Sequence, residues 1–386
     1  MGIYLDHAAT TPVLPEAAQM LAEASLRGFG NPSSIHIRGQ MAREAMDEAR
    51  QVTAKALGCL ADEIVFTSGG TEANSLALIG ACLARQDSGR HLVISAVEHE
   101  SVRNTAHFLE TLGFRVTEIP VDPAGLVDPG DIARALTPET ILISVMTVNN
   151  IIGTVQPVTE ISELARKRKI LFHTDAVQAF PNMLVEPGSL GVDLLSLSSH
   201  KFRGPKGMGV LYVRKGTPLV PLVRGGHQEN GLRAGTENLP GIMALALAIK
   251  RSRENLEKAE TELRRLRNLL AEDILANLDH VKLNGHSERA APHIAHFSVD
   301  FTDGESLVRN MDHEGVIVSA GSACSSEEGK TSHVLEAIGQ SGPLARGTVR
   351  FSLSRETTEQ EVRDASAVFR NVVVRLRSAS AAGRFA

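Results

Sequence analysis

This chain of 386 residues has no tryptophan, 4% aromatic residues and three cysteines. The apolar fraction is still 42%, ample material for a large core. Cys59, Cys82 and Cys324 are too few and too scattered for a disulfide framework or a zinc knuckle, and an odd count in a reducing compartment means free thiols. Cys59 in ALGCL and Cys82 in LIGACLA sit among apolar residues and read as small buried hydrophobes. A surplus of positive charge is missing too. The 40 Lys and Arg residues face 45 Asp and Glu, for a formal net charge of -5. That balance makes no case for nucleic acid or an anionic membrane as the main partner. No apolar run approaches the ~20 residues that a transmembrane helix needs; the longest, 76–84 and 243–249, fall far short. The opening MGIYLDHAATTP lacks the basic and apolar regions of a secretory signal. Asp6 also stands where a myristoylation motif needs Ser or Thr. These absences together predict a soluble, cytoplasmic protein.

At ~150 residues per domain, the length allows two or three domains. Residues 15–27 and 37–57 carry helical spacing. Short apolar strands follow near 63–68, 91–95, 114–120, 141–146, 169–173, 193–198 and 209–214, with helical segments between most of the early ones. This alternation predicts an α/β fold with a largely parallel, doubly wound sheet of seven strands. A long helical block spans 239–278, and its middle, KRSRENLEKAETELRRLRNLL, reads as a solvated linking helix because it is too charged for a core. Strand patterns in IAHFSVD and GTVRFSLS then mark a smaller α+β unit. The chain so divides into a large domain over 15–255 and a small one made of 1–14 and 256–386. The tail SASAAGRFA reads as frayed.

Several stretches could carry chemistry. Strand EIVFTS runs through Gly69, Gly70 and Thr71 into a helix, an arrangement that suits a phosphate and equally a glycine-softened turn capped by Thr71. GPKGMG at 204–209 fails as a nucleotide loop because it leads into a strand. Asp175 and Gln178 follow the strand KILFH, where parallel sheets hold ligands. Asp175 could be a metal ligand, a base or the partner of a protonated ring nitrogen, although no residues at metal-ligand spacing accompany it. His99 also follows a strand. His200 and Lys201 close the strand DLLSLS beside Ser198 and Ser199. A strand-end lysine, a strand-end Asp and a phosphate cup are the parts that pyridoxal phosphate needs. Cys324 lies in a small, polar stretch, SAGSACSSEEGKTSH, which local sequence reads equally as an inert surface loop or a reactive site. In TVRFSLS, Val349, Phe351 and Leu353 alternate with Arg350, so period-2 geometry sends Arg350 to the face opposite the apolar three, where a guanidinium could grip a carboxylate.

The run SLSSHKFRGPKGMG resembles the lysine motif of the cysteine desulfurases, the class V branch of the fold-type I aminotransferase superfamily. The likeness extends in order through YLDHAATTP, GNPSSIH, TSGGTEAN, VEHESV, VNNIIGTVQP, GGHQENGLRAGTEN, GSACSS, SHVLEAIG and VRFSLSRETT, nearly the whole chain. It implies a fold-type I architecture and a pyridoxal 5'-phosphate cofactor held on Lys201. Asp175 would pair with the pyridine nitrogen, Gln178 with the ring hydroxyl, and His99 would stack on the ring and move protons. Gly70, Thr71, Ser198 and His200 would bind the phosphate, joined by Thr236 of the second subunit of a homodimer. Asn150 would lie by ring and substrate, and Arg350 would take the carboxylate of L-cysteine. Cys324 would accept the sulfur as a persulfide and pass it to an acceptor protein for iron–sulfur assembly or another thiolation pathway. No metal is implied.

Rival readings on the same scaffold are a selenocysteine lyase, a small-amino-acid aminotransferase and a non-catalytic scaffold of a sulfur-transfer complex. Cys324 argues against the aminotransferase, because transamination needs no thiol. The full set of Lys201, Asp175, His99 and Cys324 argues against the scaffold. The sequence also departs from the family pattern. Ile151 replaces a usual Glu, Phe180-Pro181-Asn182 replace a stretch with a usual Gly-Lys pair, and Ser199 and Ser354 replace frequent glycines.

Overall fold

The computed structural model describes residues 2–320 and 332–382. Cys324 lies outside the described residues. Near the N-terminus, α1 (Pro15–Arg27) and α2 (Ile37–Leu57) precede the first strand of the large sheet. That sheet contains β1 (Ile64–Thr67), β2 (His91–Ser95), β3 (Arg115–Ile119), β4 (Thr140–Ser144), β5 (Leu171–Asp175), β6 (Leu194–Ser198) and β7 (Gly209–Val213). The spatial order is β1-β7-β6-β5-β4-β2-β3, and only β7 runs against its neighbours.

The strands read as unbroken apolar runs because both sheet faces are covered. Ile64, Phe66, Val93, Ile143 and Phe172 point into one apolar cluster. The residues next to them, Val65, Leu92, Leu142 and Leu171, point into another. The first face is covered by α2, α5 (Val158–Arg168) and α6 (Leu239–Arg253), the second by α3 (Gly70–Arg85) and α4 (Glu100–Thr111). Parallel strands end along one edge, so the turns after β1, β2, β4, β5 and β6 open on the same crevice.

A second core joins Leu5 to residues between Leu263 and Val373. Here α7 (Leu256–Asn277) packs on an antiparallel sheet whose members are β8 (Val281–Asn284), β9 (Ile294–Val299), β10 (Ser319–Ala320) and β11 (Thr348–Ser352), in the order β10-β11-β9-β8. Helices α8 (Gly304–His313), α9 (His333–Ala337) and α10 (Glu359–Ala382) complete this part. Phe351 meets Phe297 and Phe369 edge to face, with ring centroids 5.9 and 5.4 Å apart. These geometries add to the burial of large apolar faces.

Two expectations need correction. Residues 239–278 are not one helical block. The chain breaks after α6, where Asn255 takes a left-handed φ of 52°, and restarts as α7. Asn tolerates that conformation better than most residues. Nor is α7 a solvated linker: Leu263, Leu266 and Leu270 are buried in the second core, while charge pairs such as Arg265 with Glu262 and Glu359 occupy the outer face. The high mean charge masked an apolar stripe of helical period. The second correction concerns Cys59, which is half-buried rather than buried like Cys82. Burial pushes both thiols up to about 12, so each is inert at neutral pH.

Candidate active site

The strand ends enclose a cleft of about 350 Å³. At one end β1 passes through Gly69 into α3. The first amides of a helix have no carbonyl ahead of them, and they concentrate the positive end of its dipole. Gly69 (φ 158°) and Gly70 make this turn possible. A Cβ on Gly70 would lie 3.1 Å from Val177 Cγ2 and 3.3 Å from Ser198 Cβ, so any larger residue would press these side chains aside by a few tenths of an ångström. A Cβ on Gly209 would lie 2.5 Å from the Gly69 carbonyl carbon, which explains the glycine opening β7. Gly69 occupies the cap, and Thr71 lies inside the first turn rather than capping it. Thr71, Ser198 and His200 line this end. Burial, then the neighbouring Lys201 and Lys206 charges, push His200 down to about 4, so its ring is neutral at pH 7. The nearby Glu72 pairs with Arg233 at 3.0 Å. This end of the cleft has helix-terminal amides and hydroxyls, with Lys201 close by, as a phosphate requires.

In the middle of the cleft, a chain of polar groups connects two elements far apart in sequence. Asn74 Nδ2 donates to Asp175 Oδ2 at 2.7 Å and to Ser101 Oγ at 2.8 Å. Ser101 Oγ in turn lies 2.8 Å from His99 Nδ1. The Val177 amide holds the other Asp175 oxygen at 2.9 Å. His99 caps α4, its Nδ1 accepting from the Ser101 amide at 3.1 Å. Because Nδ1 acts as an acceptor here, a ring proton sits on Nε2. Lys201 Nζ donates to the Ala8 and Ala9 carbonyls at 2.5 and 2.7 Å, and Gln178 Nε2 donates to the Ala8 carbonyl at 2.9 Å. The N-terminal segment thus cradles both side chains.

The far end carries Arg350, which is 5% exposed. Its neighbours Val349, Phe351 and Leu353 fill the second core. The guanidinium donates to Asp6 Oδ1 at 2.7 Å and to the Asn150 carbonyl at 2.9 Å. Two of its five N–H donors are thereby used and the fork is held rigid. Asn149 organises the turn that presents Asn150, accepting from the Ile151 and Ile152 amides at 3.0 Å each. Ile151, where the family has Glu, is buried with Val97, Val334, Leu335 and Ile338. This apolar seat anchors α9, which begins at His333, and His333 Nε2 lies 2.9 Å from the Glu98 carbonyl.

Glu98, directly before His99, is fully buried. Its Oε1 accepts from Ser95 Oγ at 2.6 Å and from the Met146 amide at 2.7 Å, while Oε2 is buried without a partner. Burial, against the pull of these two hydrogen bonds and with the help of the Asp175 charge, pushes the carboxyl up to about 8. An unfolded Glu titrates near ~4.3. Between those values the folded state binds more protons than the unfolded one, so this group's contribution to stability falls as pH rises. His173, His293 and His296, each pushed down to about 3 by burial, work in the opposite sense and favour folding as pH rises toward ~6.5. Glu98→Gln is therefore expected to gain on the parent by on the order of 2 kcal/mol between about pH 6 and 8. Urea titrations across that range measure the gain, and stability curves that stay parallel would contradict it.

Ten of the residues singled out from the sequence line this one cleft: Gly70, Thr71, His99, Asn150, Asp175, Gln178, Ser198, His200, Lys201 and Arg350. Thr236 does not; it lies in a separate groove with Thr67, Arg233 and Gly235. Cys324 falls outside the described residues. Sequence reasoning missed Asn74, Ser101, Glu98 and Asp6. Asn74 and Asp6 stand within recognised motifs, but nothing local marks their partners. Among the described residues, no group of three or more His, Cys, Asp or Glu side chains is placed to hold a metal ion, and no helix is long and apolar enough to cross a membrane.

Comparisons with known proteins bear on the family and the fold. The family described as Aminotransferase class-V matches residues 3–364. A cysteine desulfurase IscS of Dictyoglomus turgidum is 46% identical over 378 residues, covering 98% of this chain and 96% of that protein. A second, from Methanosarcina thermophila, is 42% identical over 379 residues, covering 98% and 94%. A solved structure titled NifS-like protein superimposes with a TM-score of 0.90 at 33% identity, covering 97% of this chain and all of that one. The chain belongs to the class-V aminotransferase family, and within it to the cysteine desulfurases.

Proposed function

We propose that the cleft binds pyridoxal 5'-phosphate and that Cys324 accepts the sulfur of L-cysteine as a persulfide, releasing L-alanine. The observation that carries this reading is the order of groups along the cleft: the anion-binding end of α3, then Lys201 and Asp175, then Arg350. When bound, the cofactor supplies an electron sink that acidifies the α-proton of an amino acid. Asp175, its oxygens fixed by Asn74 and Val177, holds a proton on the ring nitrogen. Gln178 and His99 position the ring. Arg350 takes the substrate carboxylate in a two-pronged grip, and Asp6 and the Asn150 carbonyl keep that fork aimed. Lys201 Nζ removes the α-proton, and His99, whose Nε2 already bears a proton, is placed to donate one rather than to take it.

The sulfur step balances without another reactant. Cys324 Sγ forms the S–S bond, the substrate Cβ–S bond breaks, and the carbon receives the proton that completes alanine. Thr236, remote from the cleft of its own chain, serves the phosphate of a second copy, which makes the functional unit a cytoplasmic homodimer. The persulfide then passes to a sulfur-acceptor protein of iron–sulfur assembly or another thiolation pathway.

Peptide mass analysis after a single turnover with L-cysteine tests the assignment. We expect the added sulfur on Cys324. Cys59 and Cys82, with thiols pushed up to about 12, are too weakly ionised to compete. Sulfur on either of them with Cys324 unmodified would overturn the reading.

A further inference from the structure

A second cavity, of about 140 Å³, shares Val177, Gln178 and Lys201 with the cleft but is otherwise built from side chains that the reaction above does not use. A void of that size holds several waters or one small molecule. The guanidinium-bearing residues Arg203, Arg251 and Arg355 line it, with Glu356 as the one lining carboxylate. The lining histidines His7 and His293 are pushed down to about 4 and 3 by burial and carry no charge at neutral pH. The walls are therefore strongly cationic.

The cations are unequally compensated. Arg203 pairs with Glu356, and Arg251 with Glu16 and Glu254. Arg355 meets no carboxylate among the described residues. It donates only to the main-chain carbonyls of Glu254 and Pro181, at 3.2 and 2.7 Å. The Nε atoms of Arg203 and Arg355 are both buried without a hydrogen-bond partner. Taking a cation out of water without an anion to face it is costly. Arg203 also adopts a left-handed φ of 64°, two residues after Lys201. For a residue with a side chain that conformation is strained, and strain of this kind clusters at ligand sites. Phe180, Pro181, Asn182 and Ser354 complete this part of the lining.

We propose that this cavity is a binding site for one small oxyanion, a carboxylate or a tetrahedral inorganic anion, held by Arg203 and Arg355. The site is distinct from the cofactor's phosphate end and requires no turnover. Calorimetric titration of the cofactor-saturated protein with sodium sulfate and, separately, sodium acetate tests it and distinguishes the two kinds of anion. One saturable site per chain is expected for at least one of them, weakened tenfold or more by Arg355→Gln. Arg355 also ties the main chain, so Ser354→Leu, which fills the cavity and leaves the guanidinium groups in place, is expected to abolish the same binding while thermal unfolding shows a folded protein. Absence of saturable binding, or binding unchanged in the Ser354→Leu protein, would overturn the proposal. Neither result bears on Cys324, so failure here leaves the reading of the cleft untouched, and failure of that reading leaves this one testable.

Discussion

Lys201→Ala is expected to lower the rate of alanine release from L-cysteine by a factor of about 10³ or more, since positioned proton transfer alone supplies about 10²–10⁴. The amine is the one strongly basic group at the centre of the cleft, held by the Ala8 and Ala9 carbonyls at 2.5 and 2.7 Å. Alanine at this position can neither bond covalently to a carbonyl carbon nor carry a proton. The anion-binding turn at Gly70, the Asp175 carboxylate and Gln178 all remain. The variant should therefore still take up pyridoxal phosphate, but in a form that dialysis removes. Steady-state assay of alanine, with the absorbance of bound cofactor recorded before and after dialysis, measures both effects. Turnover within tenfold of the parent would exclude the proposed role. Loss of folding is not the expected cause of the effect, because Lys201 is only half-buried.

The second large effect is expected at Arg350. Removing one member of a buried, hydrogen-bonded charge pair costs about 2–5 kcal/mol. Arg350→Leu should accordingly reduce kcat/KM for L-cysteine by roughly thirty- to several-thousand-fold. Two losses combine. The substrate carboxylate loses its fork, and Asp6 and the Asn150 carbonyl lose the donors now 2.7 and 2.9 Å away. Arg350→Lys should restore little, because an ammonium cannot reproduce a rigid two-pronged geometry. Cysteamine, which lacks the carboxylate, separates recognition from damage. The parent should prefer L-cysteine strongly, and the variant should lose most of that preference while its residual rate with cysteamine changes little. A kcat/KM for L-cysteine within threefold of the parent would remove Arg350 from the substrate's binding site.

The strands were legible because parallel strands covered on both faces must be apolar throughout, and Ile64–Thr67, His91–Ser95 and Leu194–Ser198 each carry that signal locally. Arg350 was legible for the same kind of reason: one polar residue between two core residues can point only one way. Helix α7 was misread because its composition is dominated by the face that meets water, whereas its packing depends on three leucines spaced around the helix. Cys59 was misread because a short apolar neighbourhood does not report how much solvent remains beside it.

The sequence by itself determined the order of helices and strands, the chemical type of each reacting group and, through motifs running along nearly the whole chain, the family. Those features depend on neighbours a few residues away or on patterns kept along the chain. Tertiary structure alone decided that Asp175 reaches His99 through Asn74 and Ser101, that the Ala8 and Ala9 carbonyls hold Lys201, and that Asp6 aims Arg350. It likewise decided that Glu98 stays protonated near neutrality and that Arg203 and Arg355 share one cavity. Each of these pairings joins residues from separate strands or from opposite ends of the chain. Desolvation and directional hydrogen bonds arise only when such segments are brought together, so no local pattern in the sequence encodes them.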